Sequence, residues 1–287
     1  MSETHRLNVS AGIASVSVAL VLVVLKLWAV AATGALSVAA SLTDSALDLM
    51  ASAAGLAGIL YAARPPDENH SFGHSSAEDL VALGQAVLVA ASAVLIGWHA
   101  LHRLAVPRQL TSEALGLATM AVSVAITLGL VLWQGHVARR TGSRIVAADR
   151  LHYASDLLPA VGAMAALVAS RYFGINWLDP LVALVACAVL VFGAGRIGIG
   201  AWNALMDRVA DPGLVAKVAA IVAAHPGVLG YHDLRTRTAG SRIFIQVHLE
   251  LDGGQSLESA HAIGAAVRRA ILAAVPNGDV IIHKDPR

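Results

Sequence analysis

Asp44 and Asp48 stand four residues apart in the run Leu42-Thr43-Asp44-Ser45-Ala46-Leu47-Asp48-Leu49, inside a segment otherwise apolar enough to cross a bilayer. On a helix that spacing puts both carboxylates on one face. Each would cost about 2.5–3.5 kcal/mol at mid-membrane if left charged and unpartnered, so the spacing predicts a site turned toward the interior of a helix bundle. A matching pair lies far along the chain in Ala148-Asp149-Arg150-Leu151-His152-Tyr153-Ala154-Ser155-Asp156, where His152 and Asp156 repeat the i, i+4 spacing. Two helices that each offer two ligands from one face can close a four-coordinate site of three oxygens and one nitrogen. That donor set suits Zn2+ in tetrahedral geometry. It also accepts Fe2+, Cd2+, Co2+ or Mn2+, because ligand type alone selects weakly. The competing explanation is that these are helix-end charges that cap or snorkel. Two matched pairs count against it, since buried charges need partners and each pair supplies the other's. Asp149 is expected to differ: beside Arg150 it reads as a solvated or salt-bridged residue at the membrane interface.

Two further groups have ligand-like types. Asp67, His70 and His74 follow the paired prolines of Arg64-Pro65-Pro66 in a polar loop, which is either a binding site or a solvated connector. In the C-terminal part, His232 and His248 fall on neighbouring strands of a hairpin, directly opposite if the turn takes three residues rather than two; the sequence leaves that register open. His261 sits early on the following helix, and His283 with Asp285 ends the last strand. Four histidines and an aspartate in so short a stretch suggest metal, although a surface position accounts for any single one of them. His5, His99, His102, His136 and His225 read as span-end or loop residues. Cys187 is the one cysteine, so neither a disulfide framework nor a cysteine cluster is available, and a metal must be held by histidine and carboxylate.

The elements that must position these groups are set by composition. The 287 residues are 57% hydrophobic and only 14% charged, against about 25% charged in ordinary soluble domains, so the chain reads as a membrane protein. A net charge of +1 without a basic run excludes a nucleic-acid footprint. Bilayer-spanning apolar stretches fall near Val9–Ala32, Leu36–Ala62, Leu80–Leu101, Ala114–Val137, Ile145–Tyr172 and Trp177–Leu205. Lys26 interrupts the first and is expected to snorkel or point inward; Thr33-Gly34-Ala35 makes a tight turn into the second. The start, Met1-Ser2-Glu3-Thr4-His5-Arg6, is too short and acidic for a standard signal-peptide n-region, so the first span is expected to be retained. Arg6, Arg64, Arg139, Arg140 and Arg144 flank one side and Arg103, Arg108 and Arg171 the other, which favours cytoplasmic termini.

From Asp207 the composition becomes that of a small soluble domain. Asp211-Pro212 opens a helix through about Ala224, closed by His225-Pro226-Gly227. Strands are expected at Tyr231–Thr238 and Arg242–Leu251, where Ile243, Ile245, Val247, Leu249 and Leu251 alternate on one face, with Ala239-Gly240 as the turn. A helix over Leu257–Ala274 and a strand at Val280-Ile281-Ile282-His283 complete an αββαβ order. The expected architecture is therefore an all-α membrane bundle of six helices over residues 1–206 and an α+β domain over residues 207–287. About 80 residues is near the size at which one core is marginal, so dimerisation or metal would help the second domain.

The six spans, Asp-x-x-x-Asp in the second, His-x-x-x-Asp in the fifth and the histidine-rich αββαβ tail together resemble the cation diffusion facilitator family. His152-Tyr153, Tyr231-His232-Asp233-Leu234-Arg235-Thr236-Arg237 and Asp279-Val280-Ile281-Ile282-His283 resemble its bacterial zinc and iron efflux members in particular, and the likeness covers nearly the whole chain. The resemblance implies a homodimeric, proton-coupled exporter of divalent metal in the cell (inner) membrane, with a cytoplasmic tail of metallochaperone-like fold. It implies a transport site of Asp44, Asp48, His152 and Asp156, a loop site of Asp67, His70 and His74, and a binuclear tail site drawing on His232, His248, His261, His283 and Asp285. It also implies a lysine two residues beyond the loop's second histidine, interlocked with an aspartate just after the sixth span; here Ser76 holds the first position and Asp207 the second. Ligand chemistry adds that metal binding expels protons, which makes His152 the expected proton carrier near neutral pH. Two rival readings are a membrane-anchored metal sensor without flux and a membrane metalloenzyme; the absence of a His-Glu-x-x-His motif counts against the second.

Overall fold

The computed structural model describes residues 3–33, 36–105, 114–173 and 178–287. Gly34-Ala35, Arg108 and Trp177 lie outside the described residues, as do the side chains of Asp44, His99, Arg103 and Arg171. The chain divides into two compact units, Met1–Trp202 and Asn203–Arg287.

Six long helices make the first unit: α1 (Glu3–Thr33), α2 (Leu36–Ala62), α3 (Ser76–Ala105), α4 (Ala114–Thr141), α5 (Arg144–Phe173) and α6 (Leu178–Leu205). The shortest has 27 residues, about 40 Å at 1.5 Å per residue, which exceeds the roughly 30 Å hydrocarbon core. Among the described residues, Glu3–Trp28, Ser76–Trp98, Ala121–Thr141 and Leu184–Leu205 are long and apolar enough to cross a membrane. The two other helices, α2 and α5, are those that carry the paired ligands. Helices α1 and α3 begin earlier than their apolar runs. In α3 the reason is visible: its first turn is polar yet buried, with Ser143 Oγ donating to the Glu78 carboxylate and Arg144 Nη1 donating to Asp79 Oδ1 at 2.5 Å. The start of α3 is thereby tied to the start of α5.

Close helix approach depends on glycines, Gly12 and Gly58 among them. A Cβ at Gly12 of α1 would stand 2.9 Å from Leu56 Cδ1 of α2, and one at Gly58 would meet Val81 of α3 at 2.8 Å and Ile145 of α5 at 2.9 Å. Small apolar clusters fill the seams, among them Ala11, Ile59, Val137 and Ile145, and, between α3 and α6, Val89, Ala93, Leu190 and Ala194. Large apolar side chains such as Trp28, Leu95, Phe192 and Trp202 point outward, as a bilayer-facing surface requires.

The second unit runs α7 (Pro212–Ala223), β1 (Gly230–Ala239), β2 (Arg242–Leu251), α8 (Leu257–Ala274) and β3 (Gly278–Pro286), the expected order. Asp211 caps α7 by accepting from Gly213 N and Leu214 N, and Ser256 caps α8 by accepting from Ser259 N. The sheet order is β1-β2-β3, with β1 antiparallel and β3 parallel to β2. Ile245, Val247, Leu249 and Leu251 point to one face and pack with Val218 and Val222 of α7 and Val267 and Ile271 of α8. The period of two therefore sends Gln246, His248 and Glu250 to the opposite face.

The hairpin answers the register question in an unforeseen way. Ala239 pairs with Arg242, so the turn has two residues, Gly240-Ser241, with Gly240 at φ +52°. Continued unbroken, that register would set His232 opposite Leu249. A β-bulge between His232 and Arg235, with Asp233 at φ +50°, adds one residue to β1 and sets His232 opposite His248. Asp233→Val is expected to weaken the sheet by about 1–2 kcal/mol, because a β-branched residue is strained in the left-handed region, whereas Asp233→Gly is expected to be tolerated. Hydrogen exchange at the β1 and β2 amides of the full-length protein checks the difference.

Candidate metal centre

Helices α2 and α5 bring three of the four intramembrane candidates together. Asp48, His152 and Asp156 each offer a ligand atom within 4.8 Å of the other two. His152 Nε2 stands 3.1 Å from Asp48 Oδ1. The ring is buried, and among the described residues neither of its nitrogens has a partner in hydrogen-bond alignment. A buried imidazole left in that state is costly, and a cation between the ring and the carboxylates is the chemistry that relieves it. Asp44 lies one turn before Asp48 on α2, with its side chain outside the described residues. Lys26 points inward, as one of its two expected placements has it: its Nζ donates to Ser45 Oγ at 2.7 Å.

Asp149 corrects the sequence reading. It is buried rather than solvated, and its Oδ2 accepts from Ser15 Oγ and from Gln134 Nε2, each at 2.6 Å. The reason is helical phase. Asp149, His152 and Asp156 follow i, i+3, i+7 and share a face, while Arg150, one step round, lies against Gly135 of α4. The i, i+3, i+7 spacing was the available signal.

In the loop, Asp67 organises its own histidines. Its Oδ1 accepts from Asn69 N at 3.0 Å and His70 N at 2.7 Å, an Asx-type turn. Its two oxygens reach His70 Nδ1 and His74 Nε2, each at 3.2 Å. The backbone N–H of His70 holds the Asp67 carboxyl below its ordinary range. His74 is buried edge-on against Tyr61, with ring centroids 4.7 Å apart. The three residues place one ligand atom each within 4.8 Å, so the donors fit a metal.

In the second unit, His232, His248 and His283 stand side by side in one row across β1, β2 and β3. Asp285 is the hub: its Oδ2 lies 3.2 Å from His232 Nε2 and 2.9 Å from His248 Nδ1, and its Oδ1 lies 3.1 Å from His283 Nε2. The His248 contact holds the Asp285 carboxyl below its ordinary range. His232, His248 and Asp285 offer ligand atoms within 4.8 Å of one another, a donor set that fits a transition metal, and His283 flanks them through Asp285 Oδ1. His261 is exposed on α8, and the geometry does not bring it to this row. Glu250 was missed by sequence reasoning. Two residues beyond His248 on the same face, it stands 3.3 Å from His232 Nδ1 and pairs with Arg287 at 3.2 Å. With Ser76 in place of the implied lysine, Asp207 pairs inside the second unit: Arg237 Nη1 donates to its Oδ1 at 3.0 Å, with the guanidinium over the Phe244 ring.

Comparison with known proteins places this geometry in context. A family description reading "Cation efflux transmembrane domain" matches residues 12–206, and "Cation efflux protein, cytoplasmic domain" matches residues 210–287. The "Cation-efflux pump FieF" of Shewanella oneidensis is 41% identical over 273 residues, covering 95% of this chain and 92% of that protein. That of Escherichia coli O127:H6 is 38% identical over 287 residues, covering 100% and 95%. A solved structure titled "MamM-CTD 215-293" aligns at 24% identity with a TM-score of 0.25, covering 26% of this chain and 96% of that one.

Proposed function

The chain belongs to the cation efflux, or cation diffusion facilitator, family of membrane transporters rather than enzymes, and on that premise we propose that it is a proton-coupled antiporter that exports Zn2+ by alternating access. Fe2+, Cd2+, Co2+ and Mn2+ are the competing cargoes. The observation that carries the reading is the convergence of Asp48, His152 and Asp156 from α2 and α5, with ligand atoms within 4.8 Å. Asp44 completes the set at the i−4 position of Asp48. Carboxylate and neutral imidazole bind the cation, and their protonation releases it, so alternating exposure of one site exchanges metal outward for protons inward. Imidazole titrates near neutral pH, which gives His152 the proton-carrying role.

The loop triad Asp67, His70 and His74 and the tail set His232, His248, His283 and Asp285 are additional metal sites in this reading, the tail metal being structural or regulatory; His261 is left out of the set. The protein works as a homodimer in the inner membrane with both termini cytoplasmic. The test is flux in sealed vesicles: purified protein is expected to move Zn2+ against a counterflow of protons, read with metal and pH indicators. In the same vesicles His152→Asp, an all-oxygen site, is expected to weaken Zn2+ relative to Mn2+ by about tenfold or more, because imidazole suits the first and oxygen the second. Unchanged selectivity would remove His152 from the ligand set. A protein that binds metal yet moves none would favour the sensor reading.

A further inference from the structure

We infer that a buried hydrogen-bonded network of Ser15, Ser52, Gln134, Asp149 and Tyr153 fixes the spacing of α2 against α5, and through that spacing the size of cation that Asp48, His152 and Asp156 accept. The inference rests on the proposed transport site and assigns the five residues a positioning role.

The network joins four helices. Ser15 Oγ of α1 donates to Asp149 Oδ2 of α5 at 2.6 Å and lies 2.9 Å from Ser52 Oγ of α2. Ser52 Oγ and the Tyr153 hydroxyl share a bond of 2.7 Å, and the Tyr153 hydroxyl also reaches the Ser15 carbonyl at 3.2 Å. Gln134 of α4 closes the set on Asp149. Ser15 and Gln134 are 0% exposed, Ser52 and Tyr153 1% and Asp149 6%. These groups are sealed from bulk water, so a shift of one helix against another leaves donors or acceptors orphaned.

Its position connects it to the cation. Ser52 is one turn beyond Asp48 on α2, and Tyr153 follows His152 on α5. The Ser52–Tyr153 crosslink thus runs beside the 3.1 Å approach of Asp48 to His152, about one turn further along α2 and one residue further along α5. Two crosslinks between one pair of helices hold their separation where a single one would act as a pivot. The five residues are not among the clustered ligand atoms of Asp48, His152 and Asp156, so the role assigned to them is to position those ligands. Zn2+ takes nitrogen and oxygen ligands at about 2.0–2.2 Å, so a pair of helices held close favours it over the larger Cd2+. A pair free to part loses that preference.

The test measures initial rates of Zn2+ and Cd2+ uptake by the full-length protein in liposomes across metal concentration. Tyr153→Phe is expected to raise the KM for Zn2+ by about tenfold or more, the effect of losing support around a metal ligand. The KM for Cd2+ should rise less, so the Zn2+ over Cd2+ preference falls while maximal rates stay within about threefold of the parent. Ser52→Ala is expected to do the same, and the double variant less than the two effects combined, because both remove the Ser52–Tyr153 bond they share. Asp149→Asn keeps an oxygen for Ser15 and Gln134 and is expected to retain the parental preference. An unchanged preference in both Tyr153→Phe and Ser52→Ala overturns the inference. So does a preference in Asp149→Asn that falls as far as in Tyr153→Phe, since that variant keeps the bonds to Ser15 and Gln134. Asp48→Ala separates the levels: flux that survives it overturns the proposed transport site, whereas flux abolished by it with preference unmoved in the network variants overturns the positioning role alone.

Discussion

Asp48→Ala and His152→Ala are each expected to lower Zn2+ flux by more than about 100-fold while leaving a folded protein. The magnitude follows from coordination. Losing a residue that merely supports a ligand costs about 10–100-fold in metal affinity or activity, so losing the ligand itself costs more. A transport site also has less to spare than a structural one, because it must release its cargo and so binds with moderate affinity. Removing one of four donors leaves a cation with an open position that water fills on either side of the membrane. The fold should survive, since neither side chain belongs to the apolar seams of Ala11, Ile59, Val137 and Ile145 or of Val89, Ala93, Leu190 and Ala194. Vesicle flux, equilibrium Zn2+ binding and elution as the parental oligomer are the measurements. Undiminished flux in both variants would place the cargo elsewhere.

Much of this arrangement is legible in the sequence for one physical reason: ionisable groups are so costly in a bilayer that matched pairs at helical spacing announce a shared site. Asp48, His152 and Asp156 bring ligand atoms within 4.8 Å of one another. Apolarity, however, marks the thickness of the bilayer and not the length of a helix. The buried polar first turn of α3, held by Ser143 and Arg144, extends four residues ahead of the Leu80 from which its apolar run was read. Asp149 was misplaced because its sequence neighbour Arg150 was given more weight than its helical face. Its partners Ser15 and Gln134 lie 134 and 15 residues away, contacts that no local pattern carries. The hairpin register is open in the sequence for a different reason. The two-residue turn and the three-residue alternative each predict one pairing, and the bulge at Asp233 breaks the link between turn length and register. Asp is a residue that tolerates the left-handed region, so the signal was present but not decisive. The same row of strands leaves His261 apart, because helix α8 packs on the opposite face of the sheet, against Ile245, Val247 and Leu249.

The row His232, His248 and His283 leads to the second large effect. Chelation of the parental protein is expected to lower the melting temperature of the second unit by on the order of 10 °C, and His232→Ala with His283→Ala is expected to remove that dependence on metal. A cation that binds only the ordered sheet stabilises it by RT ln(1 + [L]/Kd), about 2.7 kcal/mol at a hundredfold excess over Kd. For a unit of this size each kcal/mol moves the midpoint by about 4–8 °C. Both histidines are exposed and stand on the face of the sheet opposite to Ile245, Val247 and Leu249, so their truncation removes ligands without opening the core. In chelator the double variant should therefore melt where the parent does, and only the rise on adding Zn2+ should be missing. Transport should persist at a reduced level, since the ligands in α2 and α5 are untouched. The measurement is thermal unfolding of the full-length protein, with the second unit followed by hydrogen exchange at β2, in chelator and in excess Zn2+. A double variant that melts lower in chelator would mean these side chains stabilise the sheet directly. A parental protein whose midpoint ignores both chelator and Zn2+ would mean that the three imidazoles around Asp285 are a surface cluster without a cation.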